Sequence, residues 1–532
     1  MLEALIREQI LDNPHSLLLT MAPKAGLEME YNKKSIAEWA NYKAALSAKE
    51  IERLESETKE LIKYQEQKDT PEALATIPLL NLEDIDPTAK WYPVKEKNID
   101  TVPVLCYHTF TNHVVYTSLL FDARVLPQWL VPYASLLTEV LGSLSTEKYT
   151  YGELDNELNI HTGIFSTIVN SYLEDRKDEN LLPKVVVFSK ALNTKVDKLF
   201  ELTEEIINHT IFSDKDRLKT VLRRHHSILD ARIKRDGMDY ARTRLASYYS
   251  NQGMFNELTD GIEYYWFITD LVNNFDKNSD EIIANLEDVA QTLFSKDNLI
   301  ITVTCEKEDL PEFCNESEKF INRLSKEKPL QESWKFAFDN KNEGFLSASK
   351  VQYVLPGYDF KKLGYSWHGK YRAMNQILSR EWLNNQIRVI GGAYGGFSHF
   401  SSSGQVYFAS YRDPNLKRTL ENFAGTPKFI RKFEPDKDTM TRFIIGTISR
   451  MDRPLRPSAE GNLAVRRYLE KISKEDVQTE RDAVLATTAQ DIREMEAFVA
   501  DILKQETFCV YGNEEKIESN KNLFKKIREL ER

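Results

Sequence analysis

Chemistry in a chain of 532 residues begins with side chains able to hold a metal, move a proton or stabilise charge. The nine histidines are His15, His108, His113, His161, His209, His225, His226, His368 and His399. None forms the HExxH or HxxEH spacing that sets two imidazoles and a carboxylate on one helix face. His108 and His113 enclose no acidic residue, and a five-residue offset on a strand sends them to opposite faces. No metal site is read from this chain. A basic run, Arg223-Arg224-His225-His226 followed by Arg232, Lys234, Arg235, Arg242 and Arg244, has the make-up of a polyanion-binding helix or of a basic wall attracting acidic peptides. Asp230, Asp236 and Asp239 lie within it, and a solvated, internally neutralised face is the favoured reading. The sharpest feature is Ile387-Arg388-Val389-Ile390-Gly391-Gly392-Ala393-Tyr394-Gly395-Gly396-Phe397, with four glycines in six positions. Such glycines let the backbone turn sharply and approach another surface, so that Arg388 and Tyr394 can converge on one ligand. A nucleotide loop over Gly391 to Gly396 is a rival, but it lacks both the Gly-Lys-Ser/Thr sequel and a strand leading in. An incidental helix-to-strand turn is the third reading.

The elements that must position these residues follow from periodicity. A strand is predicted at Ser16 to Met21 after a turn at Asp12-Asn13-Pro14. A lone strand leaves its edges unpaired, so its sheet partners are expected upstream of the sequence. Residues 35–46 carry Ile36, Trp39, Tyr42 and Leu46 at helical spacing. Ser47-Ala48-Lys49-Glu50 is a capping box opening a second helix to about Lys68. Together they read as a helical hairpin, followed by a connector from Thr70 to Pro93 with Pro71, Pro78 and Pro87. Strands are then predicted at 104–108, 114–119, 164–172, 184–189 and 299–304, with helix over 127–144 and much of 194–295. The plan repeats with strands at 346–355, 404–412 and 508–511, and helices near 370–387, 413–423 and from 436. The fold class is α+β: two similar domains, each a mainly antiparallel sheet with helices on one face, preceded by a helical hairpin linker. Expected boundaries are 1–30 (the end of a preceding domain), 31–95 (hairpin and connector), 96–325 and 326–532.

Composition narrows the partners. With 71 basic against 82 acidic residues the net charge is −11, which repels phosphate backbones and argues against nucleic acid. No apolar run reaches the roughly 18 residues that span a bilayer, so no membrane role is expected. The start, Met1 to Arg7, lacks the apolar core and cleavage site of a secretion signal, and a cytoplasmic location is expected. Cys106, Cys305, Cys314 and Cys509 are scattered, three of them in apolar runs, and read as reduced and structural.

The stretch from Arg388 to Tyr394 in its glycine context resembles the C-terminal half of presequence proteases, of the insulinase and pitrilysin family of inverted zinc peptidases. So do Ser347-Ala348-Ser349-Lys350-Val351-Gln352-Tyr353-Val354 upstream and Ser410-Tyr411-Arg412-Asp413-Pro414-Asn415 downstream. Asn13-Pro14-His15 is similar to the end of the family's second domain, the hairpin to its interhalf linker, and Gly237 to Leu271 to its third domain. The resemblance implies two similar halves enclosing a chamber, with zinc, its HxxEH ligands and the water-activating glutamate all in the N-terminal half. That half and unfolded peptides are the implied partners, and zinc is the implied cofactor of the full-length enzyme, with none in this chain. In the third domain Leu136 and Val140 stand in the two histidine slots, and only Glu139 keeps its type. By resemblance Arg388 and Tyr394 support the substrate carbonyl and transition state, and Gly391, Gly392 and Gly395 form the substrate-binding loop. The implied activity is a metalloendopeptidase cutting short unfolded peptides, with this chain alone inactive. The alternative is a non-catalytic peptide-binding or scaffold protein with an inactive peptidase fold.

Overall fold

The computed structural model describes every residue except Met1, Pro23, Ala25, Lys68, Pro71, Leu74, Ala75, Leu79, Asn340, Glu531 and Arg532. Lys68 and Pro71, placed above at a helix end and in the connector, thus lie outside the described residues. The chain divides into two compact units, Met1–Leu79 and Leu80–Arg532.

The first unit is helical. A short helix, Leu2–Ile6, runs into a π-helical turn, Arg7–Leu11. The expected strand at Ser16 to Met21 does not form: these residues have no regular structure, and Leu17, Leu18 and Leu19 are exposed. A strand needs a partner for its backbone groups, and the described residues supply none. Helices α1 (Leu27–Ala45) and α2 (Ala48–Glu66) follow. The Ser47 capping box is made as expected, the Ser47 amide donating to Glu50 Oε2 at 2.8 Å.

The second unit holds two six-stranded sheets. Sheet 1 is built from β1 (Lys95–Ile99), β2 (Val102–His108), β3 (Val114–Asp122), β4 (Ile164–Leu173), β5 (Leu181–Leu192) and β6 (Leu299–Cys305). Sheet 2 is built from β7 (Glu343–Ser347), β8 (Tyr353–Asp359), β9 (Gly395–Phe400), β10 (Gln405–Tyr411), β11 (Phe508–Asn513) and β12 (Lys526–Glu529). The orders are β1-β2-β6-β3-β5-β4 and β12-β7-β11-β8-β10-β9. After the outermost strand the two match pair for pair. The β2–β6 and β7–β11 pairs are parallel, and every pair beyond them in either sheet is antiparallel. They are two copies of one plan. The strand expected at 346–355 is in fact two, β7 and β8, because the Ser347-to-Gln352 loop interrupts it.

The central strands read as near-continuous apolar runs because both of their faces are covered. Val104, Leu119, Phe121, Val185 and Val187 face the main core, beneath α3 (Val131–Val140), α4 (Lys215–Arg235) and neighbouring helices. Leu105, Leu120 and Val186 point to the other side. There the second domain contributes a helix, whose Val465 and Leu469 complete a separate cluster. The reverse also holds: α5 (Gly237–Ser247), from the first sheet's domain, lies on sheet 2, where Tyr240 and Leu245 share a core with Tyr353 and Tyr511. Helix α6 (Asn251–Asp260) follows it. The sequence predicts helices on one face of each sheet; the structure adds this exchanged helix on the other. Both crossings start close. A Cβ on Gly237 would lie 2.2 Å from the Tyr511 ring, and one on Gly461 would lie 1.8 Å from Thr304 Oγ1.

Arg244, on α5, locks the junction. It is buried, and its Nε and Nη2 donate to Glu343 at 2.6 and 3.0 Å while Nη1 donates to Glu257 and Glu263 at 3.1 and 2.8 Å. The Tyr248 hydroxyl and Arg528 also reach Glu343, at 2.9 and 2.8 Å. All four cysteines are free, three of them buried.

Candidate functional site

Arg388 lies in the last turn of a π-helix, Leu378–Val389, that continues α7 (Lys370–Ile377). Leu378, Leu383 and Ile387 anchor this helix in the second domain's core. Trp382 stacks on Phe429 with centroids 5.4 Å apart. After the helix the chain turns through the glycines straight into β9. Gly392 has a φ of 80°, a left-handed conformation that any Cβ would strain. Gly396 brings β9 against the helix: a Cβ there would lie 2.7 Å from Ile387 Cβ and 2.8 Å from the Leu383 oxygen.

Backbone bonds fix the turn. Ile390, Gly392, Ala393 and Tyr394 donate their amides to the oxygens of Asn385, Arg388, Ile387 and Tyr411, at 2.9 to 3.0 Å. Asn415 Nδ2 donates to the Gly391 oxygen at 2.7 Å. Asn415 is in turn held by buried Asp413, which accepts its amide at 2.8 Å and the Thr419 hydroxyl at 2.6 Å. A phosphate loop needs its amides free to point at the anion; here four of them are spent on the fold. The two side chains at the ends of this turn are left in the open. Arg388 is exposed and makes no side-chain hydrogen bond or ion pair among the described residues, and Tyr394 is 69% exposed. Tyr394 has one neighbour of note: the Arg412 guanidinium sits 5.7 Å from its ring centroid and equally far from that of Tyr411. Gly395, the third glycine assigned to the loop, pairs with Tyr411 as the first residue of β9.

In the first sheet's domain, α3 carries Leu136 and Val140, which by resemblance stand in the two histidine slots of an inverted zinc motif. Leu136 and Val140 are both fully buried in the main core. Neither side chain offers a ligand, so α3 does not fit zinc. The polar groups of α3 are also engaged. Glu139 Oε2 pairs with His225 Nδ1 at 3.2 Å, and His225 Nε2 lies 3.1 Å from the Tyr264 hydroxyl. The hydrogen bond from His225 holds the Glu139 carboxyl below its usual range despite partial burial. Ser135 donates to the Thr259 oxygen at 2.6 Å, and the Thr138 oxygen accepts from Thr167 at 2.5 Å.

Comparison with known proteins sets this geometry in a family. Residues 21–271 match the model of the domain associated with peptidase family M16, subfamily C, and residues 342–511 match "PreP C-terminal domain". The chain fits a presequence-protease-like C-terminal half. It is 34% identical, over 99% of its length, to Protein HypA of Clostridium perfringens, covering 54% of that protein. It is 30% identical, over 95% of its length, to Presequence protease 1, chloroplastic/mitochondrial, of Arabidopsis thaliana, covering 47% of it. The chain thus spans about half the length of these relatives. In fold it is similar to the peptidase M16 inactive domain from Pseudomonas fluorescens, with TM-score 0.54 and 13% identity over 79% of this chain and 98% of that one.

Within this family framework the other candidates resolve individually. The basic run is neutralised locally: Arg232 pairs with Asp260, Lys234 with Asp230, Arg235 with Asp236 and Arg242 with Asp239. Arg244 belongs to the core junction. His226 stacks on Tyr265. The fold does bring His113, Glu306 and Glu308 together, their ligand atoms within 4.8 Å of one another. These residues come from the β2–β3 turn and from beyond β6, a proximity no local spacing shows. Glu306 already accepts the amides of Thr111 and His113, at 3.2 and 3.1 Å, and His113 Nδ1 faces Asp309 at 3.2 Å. We assign no ion there. Sequence reasoning missed Arg412, Asp413 and Asn415 as supports of the turn. The one available signal was a charged residue followed by Asp-Pro-Asn after a strand, a turn-forming composition. Among the described residues no helix is long and apolar enough to cross a membrane.

Proposed function

We propose that this chain is the C-terminal, non-zinc half of a zinc-dependent metalloendopeptidase that degrades short unfolded peptides inside a closed chamber. Its own part is to bind substrate and stabilise the transition state. The observation that carries this reading is the turn itself: a guanidinium and a phenol stand exposed at the two ends of a loop tied down by backbone hydrogen bonds. Attack on an amide places negative charge on the carbonyl oxygen. A phenol O–H and a permanently charged guanidinium are suited to donate to that oxygen. Leu136 and Val140 offer no metal ligand, so this reading gives zinc and water activation to the other half.

The test is hydrolysis of a short unstructured peptide by the chain alone, then mixed with a separately produced HxxEH-bearing half of a family member. Activity is expected only in the mixture. Tyr394→Phe and Arg388→Ala are each expected to lower kcat by about 10²–10³. Chelator-sensitive hydrolysis by the chain alone, or a mixture indifferent to both substitutions, would overturn the reading. The buried, apolar Leu136 and Val140 of α3 favour a second reading, a peptide-binding scaffold. Peptide binding without hydrolysis in any mixture would establish that one instead.

A further inference from the structure

Between the two domains lies a trough on the face of sheet 1 turned away from that domain's own helices. Its main chamber measures about 730 Å3 and adjoins a second of about 260 Å3; the two share Arg242, Gln252, Gln405 and Arg466. The walls come from α5, α6 and α8 (Pro457–Leu469), the exchanged helix on this face.

The chemistry of the lining changes along the trough. In the main chamber Leu120, Ile168 and Phe188 give an apolar floor, and amides stand above it: Asn170, Gln252, Asn256, Gln405 and Asn462. These amides are only partly engaged. Gln252 Nε2 donates to Ser171, Asn256 Oδ1 accepts from Ser171, and Gln405 Nε2 donates to Ser250. Each of these three keeps its other amide atom for a ligand. Side-chain amides paired with apolar floor suit an extended peptide, whose backbone presents donors and acceptors alternately with its side chains.

The smaller chamber is cationic. Arg176, Arg242 and Arg466 line it, with Glu470 the one carboxylate of its described lining. Glu470 pairs with Arg466 at 3.0 Å, and Arg242 lies 3.5 Å from Asp239. The Arg176 guanidinium makes no hydrogen bond or ion pair among the described residues. Its backbone is nevertheless fixed. Asp175 and Arg176 both have positive φ, 54° and 58°. The Asp175 amide donates to the Glu470 oxygen at 3.1 Å, and the Arg176 oxygen accepts from Lys361 Nζ. The second domain thus holds a strained turn in place from both sides, and that turn carries a guanidinium with no internal partner among the described residues. In a chain of net charge −11, three guanidiniums against one carboxylate leave the described lining of this cavity net positive, with Arg176 its unpaired charge.

We propose that this trough binds an extended peptide segment bearing a carboxylate, either its C-terminus or an acidic side chain, with the carboxylate against Arg176, Arg242 and Arg466. The proposal rests on the peptide-handling reading above and gives it a direction: the amide-lined chamber takes the backbone and the cationic end takes the charge.

The experiment uses the chain alone and fluorescence anisotropy of labelled peptides of one neutral, unstructured sequence. One peptide ends in a free carboxylate, one in an amide, and one in an amide with a glutamate near its end. The free acid or the glutamate peptide is expected to bind about tenfold or more tighter than the neutral amide, one decade of Kd. Whichever wins identifies the source of the carboxylate. Arg176→Gln and Arg176→Glu are expected to remove that advantage, and raised salt to erode it. The acid-against-amide comparison in the unaltered chain stands even if a variant fails to fold. All three peptides binding within about twofold of one another, or binding of tripolyphosphate with no binding of any peptide, would overturn the proposal. Because binding is read without the zinc half, its loss with hydrolysis intact removes the trough alone. Failed hydrolysis with binding intact removes the peptidase reading alone.

Discussion

Tyr394 presents its phenol from the end of a glycine turn, with the Arg412 guanidinium 5.7 Å from its ring. Arg412 has a φ of 49°, unusual for a residue with a side chain, and its charge also acts on the Tyr353 hydroxyl. That geometry orients the ring more than it changes the phenol's chemistry. Arg412→Ala is therefore expected to lower kcat of the mixed enzyme by about two- to fivefold, the scale of an exposed cation–π contact. The measurement is kcat and KM in the same peptide assay: kcat carries the loss, and Arg412→Lys restores part of it. Arg388 and Tyr394 could be singled out in the sequence because they flank glycines. Arg412 could not, because its partner lies across a strand pair, and cross-strand neighbours leave no trace in linear spacing.

At the scale of elements, the turn that carries Arg388 and Tyr394 depends on β9 pressing against the π-helix at Gly396. Gly396→Ala pushes a methyl group into Ile387 Cβ and the Leu383 oxygen. One of these is backbone and cannot yield cheaply, and overpacking of this kind costs about 1–3 kcal/mol. The expected outcome is a lower melting temperature together with a drop in kcat, although the substitution removes no chemical group. Thermal denaturation followed by circular dichroism, set beside the peptide assay, checks both. The helices and the apolar strands were readable from periodicity, and the Ser47 box from its local spacing. β9 was missed because Gly395 and Gly396 give a strand no side-chain signal, and β12 because Lys526–Glu529 is polar and pairs only with β7. The apolar run at Ser16 to Met21 looked like a strand for the opposite reason: strand composition does not make a strand without a neighbour to pair with.

For the whole molecule, the junction around Arg244 governs how the two domains respond to acid. Burial pushes the Glu343 carboxyl up, but the Arg244 hydrogen bonds and charge outweigh it and hold the group below its usual range. A carboxyl with a depressed value contributes stability above the unfolded value, about 4.3, and that share is lost as pH falls through the folded value. Glu257, fully enclosed and with Oε2 unpartnered, is pushed the other way by burial, so its share runs against that of Glu343. Glu343→Gln is expected to destabilise the protein by about 3–5 kcal/mol at pH 7, as breaking a buried pair does. Its melting temperature is then expected to fall less steeply than the parent's between about pH 5 and 3. Melting curves across that range check the slope. The repeated α+β plan was legible from the alternation of strands and helices. The exchange of helices was not, because Gly237 and Gly461 look like ordinary helix glycines until the opposite sheet is seen against them.

That exchange has a consequence for the order of events at the ribosome. Sheet 1 is complete once Cys305 has been made, but the helix that covers its outer face begins only at Pro457. At roughly 5–20 residues per second, the stripe of Leu105, Leu120, Val186 and Ile300 stays open to solvent for on the order of 10–30 s in every new chain. Throughout that interval the nascent protein shows an apolar surface that the finished one hides, and it is then that a chaperone has something to hold.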